Sequence, residues 1–279
     1  MRTLLLGATG QIGRALAARL PGAATPGRTE VDLADVEEAA IDWSAFDTIV
    51  NAAAWTAVDA AETPDGRVAA WRANAAGPAA LARIAARHGA TLVHLSTEYV
   101  FDGTAPGPYA EDAPIAPLSA YGASKAAGDL AVTTLDRHLL VRPTWVVGDG
   151  HNFVRTMVGL AGRGIAPTVV ADQIGRPTFA DDVADAIVHL LAAGATGTFH
   201  VTGGGEPASW ADVARAVYAQ LRPDLTVTDT TTAAYFADKP EAAARPLNSV
   251  LDLTKAEAAG VHCPDWREQL ARYLSSRTA

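Results

Sequence analysis

The chain has one cysteine, Cys263, in 279 residues. A single thiol excludes an intrachain disulfide framework and fits a reducing cytoplasm. There is no excess of positive charge either: 22 Lys and Arg stand against 31 Asp and Glu, a formal net charge of −9. That balance argues against general nucleic-acid binding, which relies on clustered cations. It does not exclude an anionic small ligand, because a few arginines and a helix N-terminus suffice to hold one. No run reaches the roughly 18 apolar residues of a membrane helix, so no membrane partner is expected. The first apolar run, Leu4-Leu5-Leu6, passes directly into Gly7. It is too short for a secretory leader, which makes a cytoplasmic location the expectation. Lysines number three and tyrosines six, so an ordered pairing of the two types is informative.

What is present is the composition of a globular protein, 49% hydrophobic and 19% charged, long enough to bury a full core. Short apolar runs at Thr3–Leu6, 48–50, Thr91–Leu95 and 139–141 alternate with alanine-rich stretches at 11–20, 67–88 and 120–134. Runs of the first kind read as buried strands and the second as helices. The alternation predicts an α/β fold, a Rossmann-type doubly wound parallel sheet. Strand ends at Gly7, Asn51 and Ser96 then share the sheet edge where such folds bind ligands. The rhythm weakens after Gly148, although a helix at 181–193 and a strand at 198–201 return to the sheet. The expected division is a dinucleotide-binding domain at 1–150 plus about 179–203. A smaller substrate-binding lobe takes about 151–178 and 204–279.

The first strand is followed by Gly7-Ala8-Thr9-Gly10-Gln11-Ile12-Gly13. Glycines spaced three and three at a strand-to-helix turn let the backbone approach a pyrophosphate, and helix N–H groups then attract the phosphates. This assigns Gly7, Gly10, Gln11, Ile12 and Gly13 to a dinucleotide. The second strand, near residues 23–26, ends without an acid for the ribose hydroxyls. Arg28 follows and suits a 2′-phosphate, which points to NADPH with NADH left open. Asp32 and Leu33 either flank the adenine or start the next helix.

Tyr121-Gly122-Ala123-Ser124-Lys125 is the sharpest feature. On a helix, residues four apart share a face. A nearby ammonium is expected to lower the phenol pKa from its ordinary value of about 10. Tyr121 can then donate a proton to a ketone oxygen as hydride reaches the carbon. A hydroxyl should sit beside the phenol. Thr97, at the end of the third strand, is the choice, with Ser96 the competitor.

These residues resemble the extended short-chain dehydrogenase/reductases, and finer signatures resemble the dTDP-4-dehydrorhamnose reductase family. The signatures are Asn51-Ala52-Ala53-Ala54-Trp55-Thr56-Ala57-Val58-Asp59, Ser96-Thr97-Glu98-Tyr99-Val100-Phe101-Asp102-Gly103, Arg142-Pro143-Thr144-Trp145, Asn152-Phe153-Val154, Asp172-Gln173-Ile174-Gly175-Arg176-Pro177-Thr178 and Arg245-Pro246-Leu247-Asn248-Ser249. The resemblance implies reduction of the 4-keto group of a dTDP-4-dehydro-6-deoxyhexose, with Thr97, Tyr121 and Lys125 as the catalytic set. It places Ala52 and Ala53 along the nicotinamide, with Ala54 on the cofactor side. Thr56, Val58, Glu98, Tyr99, Trp145, Asn152 and Arg245 go to the nucleotide-sugar. Trp145 also suits packing after a strand, and Arg245 a surface ion pair.

Two departures from the family pattern stand out. Glu98 occupies the place usual for Asp, and its extra methylene moves the carboxylate by about 1.5 Å. The first helix carries Arg14-Ala15-Leu16-Ala17 where some relatives hold a dimer-bridging metal with acidic residues, so no metal is expected. The chain is expected to be a monomer or homodimer. Competing readings are a reductase of another activated deoxysugar, a non-catalytic NADP-binding regulatory subunit, and an epimerase or dehydratase.

Overall fold

The computed structural model describes residues 2–278. Its center is a five-stranded parallel sheet of β1 (Thr3–Leu6), β2 (Thr48–Asn51), β3 (Thr91–Leu95), β4 (His138–Arg142) and the Gly197–His200 strand, in that order. Leu5, Val50, Val93 and Leu139 stand side by side in register. Every residue of β1, β2 and β4 is buried, which is why these strands read as continuous apolar runs and not as alternating ones. The expected second strand near 23–26 is reduced to a single bridge, Ala24 to Leu4.

Alternate residues serve two cores. Leu5, Val50, Val93 and Val141 face α1 (Gln11–Arg19) and α6 (Ala180–Ala192). Leu4, Leu6, Ile49, Leu92 and Leu140 face α3 (Gly77–His88). A third core gathers α5 (Phe153–Gly162), α7 (Trp210–Leu221) and the Trp266–Thr278 helix around Val154, Val217 and Trp266.

The helix expected over 67–88 begins at Pro64 and is interrupted. Between α2 (Pro64–Trp71) and α3 the backbone makes a π turn over Arg72–Ala76. Pro78 has no N–H to give the Asn74 carbonyl four residues back. The freed oxygen lies against α4 (Ala120–Val132), where a Cβ on Gly128 would stand 2.1 Å from it. Glycine at 128 thus lets α4 come close.

A buried ion pair fastens α4 to the sheet. Arg142 Nε lies 3.1 Å from Asp129 Oδ2, with side chains 4% and 1% exposed. Arg142 also donates to the Glu111 carbonyl and lies over the Phe101 ring. Removing one member of such a pair leaves an uncompensated charge. Arg142→Met is expected to lower the unfolding free energy by about 3–5 kcal/mol, measured by urea denaturation. An unchanged midpoint would show that the pair does not hold α4 in place.

Candidate active site

The glycine loop builds the first wall. Gly7 has φ +79°, and a Cβ there would strike the Ala52 and Ala53 backbone at 2.5–2.7 Å. Only glycine therefore lets β1 and β2 end side by side. A Cβ on Gly13 would lie 1.9 Å from the Gly7 carbonyl, so α1 packs directly on the loop. Gly10 caps α1 with no side-chain hydrogen bond, and the first turn carries no acid. The N–H groups of Gln11 and Ile12 sit in that turn, an arrangement that suits a pyrophosphate. Ala52 and Ala53 are half-buried beside the loop, and Ala54 is exposed.

The other cofactor residues are less compact. Arg28 is 83% exposed and pairs with Asp32, at 3.2 Å. Asp32 accepts the Ala34 N–H as a helix cap, and Leu33 is buried in the α3-side core. Asp32 and Leu33 thus open the helical turn Leu33–Glu38. Leu33 is drawn inward because its side chain fills the space over Gly77.

Tyr121 and Lys125 lie on the buried face of α4. The N-terminus of this helix is held twice. Ser119 accepts the Gly122 N–H, and Glu62 accepts the Ala120 N–H at 2.7 Å. A carboxylate suits the positive end of the helix dipole. Asn74 adds a further tie, clasping the Trp55 backbone in both directions and donating to Ser124. Neither Glu62 nor Asn74 carries a sequence signal beyond its polar type.

The expected depression of the Tyr121 pKa is corrected by the structure. Burial, then the Glu98 carboxylate, push the phenol well above its ordinary value, while the Thr97 hydroxyl acts the other way. Spacing on α4 could not show where the lysine nitrogen goes. Lys125 Nζ donates to the Leu95 carbonyl at 2.6 Å and lies 3.3 Å from His94 Nε2. It is 1% exposed, and burial brings its pKa down to about 8. The Tyr121 phenol is accordingly protonated at neutral pH, the form a proton donor needs.

Thr97 Oγ1 donates to Glu98 Oε2 at 2.8 Å, and both residues are buried. Burial raises the Glu98 carboxyl to about 7, against the partial compensation of Thr97. The competitor Ser96 is buried and turned toward Asp129. Tyr99 meets Tyr121 edge to face, with centroids 5.5 Å apart. Val58 and Trp55 pack on the same cluster, and Thr56 is exposed beside them.

A cleft of about 700 Å³ adjoins this cluster. Its walls include Trp210, Tyr235, Phe236, Lys239 and Arg245, beside the N-terminus of α5. Arg245 forms a two-pronged pair with Asp59 at 2.8 and 2.9 Å and lies over Phe236. Tyr99 feels the charges of both Arg245 and Asp59, which places it between the cleft and Tyr121. Trp145, at φ +43°, stacks on the cleft residue Trp210 with centroids 3.7 Å apart and covers Gly175. Asn152 lines the cleft and is also a clamp: its amide oxygen accepts the Arg155 N–H at the start of α5, and its NH₂ group donates to Gln11 Oε1 and the Gly148 carbonyl. Asparagine is preferred at such caps because its oxygen accepts an orphan helix N–H.

Residues 1–278 match the family model described as RmlD substrate binding domain. The chain is 42% identical to the dTDP-4-dehydrorhamnose reductase of Burkholderia thailandensis, over 96% of each chain. It is 43% identical to the dTDP-4-keto-6-deoxy-D-glucose reductase of Streptomyces niveus, over 80% of each. A crystal structure of dTDP-4-dehydrorhamnose reductase from Bacillus anthracis in complex with NADP superposes with a TM-score of 0.86. That chain is 32% identical, and 99% of each chain is covered.

Glu98 gives the site a pH signature. A carboxyl raised from 4.5 to about 7 on folding adds no cost below its unfolded pKa, where both states are protonated. Stability is then lost as pH rises toward 7, because the unfolded chain ionises first. Glu98→Gln removes this slope. Between pH 5 and 8 the variant is expected to gain about 2–3 kcal/mol relative to the parent chain, followed by denaturation at each pH. A difference independent of pH would refute the buried, proton-holding carboxyl.

Proposed function

Because the chain belongs to the RmlD substrate binding domain family, with residues 1–278 matched, we propose that it reduces the 4-keto group of a dTDP-linked 4-dehydro-6-deoxyhexose with NADPH. The sugar we assign is dTDP-4-dehydro-L-rhamnose, giving dTDP-L-rhamnose. The observation that carries this reading is the buried Thr97, Tyr121 and Lys125 set at the strand ends, with the open α1 N-terminus on one side and, on the other, an aromatic-walled cleft that holds Lys239 and Arg245 beside Asp59 and Glu241.

The glycine loop and the turn at Gln11 and Ile12 suit the cofactor pyrophosphate, and Ala52 and Ala53 suit the nicotinamide end. When bound, the cofactor supplies the hydride. The NADP in the Bacillus anthracis relative supports NADPH, and Arg28 is free enough to meet a 2′-phosphate. Lys125 holds the nicotinamide ribose. Tyr121 gives its phenolic proton to the carbonyl oxygen as that oxygen gains charge. Thr97 turns its one hydroxyl hydrogen from Glu98 to the same oxygen, and Glu98 in its protonated form then donates to Thr97 Oγ1 and holds it in place. Arg245, Lys239 and the α5 N-terminus face the diphosphate, while Tyr235, Phe236 and Trp210 offer stacking surface for the base.

One observation favours a second sugar. Glu98 lies within reach of the same oxygen site through Thr97, and the Streptomyces niveus relative is named for a different 4-keto sugar.

Two measurements test the proposal. NADPH oxidation is expected with dTDP-4-dehydro-L-rhamnose. Turnover only with another 4-keto sugar would transfer the assignment to that sugar, and cofactor binding with no turnover on any sugar would favour the regulatory reading. Tyr121→Phe keeps the ring and removes the proton. It is expected to bind NADPH normally and to lose about 10²–10⁴-fold in kcat. Turnover near that of the parent chain would reject the donor role.

A further inference from the structure

Two residues outside the catalytic set form a buried polar chain that ends at Lys125. The Ala53 N–H donates to Asn51 Oδ1 at 3.2 Å. Asn51 Nδ2 lies 3.0 Å from His94 Nδ1, and His94 Nε2 lies 3.3 Å from Lys125 Nζ. Asn51 and His94 are both completely buried.

These contacts determine where the hydrogens lie. A backbone N–H can only donate, so the Asn51 atom facing Ala53 is the amide oxygen. The other Asn51 atom is then the NH₂ group, a donor to His94 Nδ1. Nδ1 must accept and carries no hydrogen, so the neutral ring has its hydrogen on Nε2. The ring does not gain a second proton, because burial and then the nearby Lys125 hold its pKa far below the ordinary value. Nε2–H therefore points at Nζ. An ammonium there has three N–H groups and no lone pair, which sets donor against donor. A neutral amine accepts the bond. The 2.6 Å bond to the Leu95 carbonyl is available to either form.

We propose that His94 is a positioning residue for Lys125: locked by Asn51 as the Nε2–H tautomer, it donates to Nζ, fixes its place and favours the neutral amine. The other titratable and charged groups around Lys125 are Tyr121 and Asp129 on α4, with Arg142 on β4 bound to Asp129 and Glu98 beyond Tyr121. Asp129 pulls toward the ammonium; Arg142 engages its Oδ2, and its buried Oδ1 makes no hydrogen bond to Nζ. The inference rests on Lys125 belonging to the catalytic set proposed above.

Nitrogen NMR on the full chain without substrate tests it. Long-range proton–nitrogen spectra report the tautomer of each of the seven histidines. His94 is expected to carry its hydrogen on Nε2, with Nδ1 as acceptor, across neutral pH. A hydrogen on Nδ1, or an imidazolium, would overturn the proposal. The three lysines give three Nζ signals, assigned through Lys239→Arg and Lys255→Arg. His94→Ala opens polar space beside Nζ that a water fills, and a water accepts from an ammonium. The Lys125 midpoint is expected to rise by about one unit or more, roughly tenfold in proton affinity. An unmoved midpoint would also overturn it. The tautomer readout needs no variant, so it stands even where His94→Ala fails to fold. Neither readout depends on which sugar is reduced, so a failed sugar assignment and a failed His94 role are separate results.

Discussion

The arrangement at the strand ends depends on one constraint, the removal of the Lys125 nitrogen from water. An isolated ammonium in such a place costs several kcal/mol, and the surrounding structure answers in two ways, with acceptors for the N–H groups and with a burial that eases loss of the proton. Leu95 presents its carbonyl to Nζ, and Asp129 stands one helical turn further along α4. Asp129 is itself buried and in turn requires Arg142. Each compensation calls for the next, and the series joins α4 to β3 and β4. Small residues make the approach feasible. A Cβ on Gly122 would lie 2.3 Å from the Tyr99 carbonyl, as Gly128 does against Asn74. The helix that carries Tyr121 is therefore positioned by packing and by charge together.

The same burial sets the chemistry. Tyr121 is kept as a neutral phenol, Lys125 loses its proton more readily than an exposed lysine, and Glu98 holds its proton more tightly than an exposed acid. Lys125 and Glu98, which differ widely in water, are drawn toward the same range around neutrality, whereas the Tyr121 phenol is pushed away from it and stays protonated until charge builds on the oxygen it serves.

Much of the fold was legible because parallel strands buried on both faces are plain apolar runs. Thr3–Leu6 and Thr91–Leu95 are found at the bounds the sequence predicts. The π turn at Arg72–Ala76 was not legible, since one inserted residue barely disturbs a helical pattern. At the site, the glycine loop and the Tyr121 and Lys125 pair were readable from type and spacing. The side-chain partners were not. Asn152 lines the cleft, but its three-way clamp on Arg155, Gln11 and Gly148 exists only in three dimensions. His94 sits inside an apolar strand, and only the partners on β2 and α4 give it meaning. Lys125 was expected to act on the phenol, yet its nitrogen is drawn to a strand carbonyl that the sequence places 30 residues away.

The division of the sheet into two faces bears on how the chain is made. On one face, Leu5, Val50, Val93 and Val141 are covered by α1 and α6 together. A ribosome completes β4 at Arg142 and reaches the end of α6 at Ala192 about 50 residues later. At about 5–20 residues per second, that interval is roughly 3–10 s. During it, four strands already emerged carry a greasy face with only α1 to shield it, long enough for collapse on the microsecond scale to bury it wrongly. Emergence of α6, more than any earlier segment, is the moment at which the nascent chain becomes safe from its neighbours.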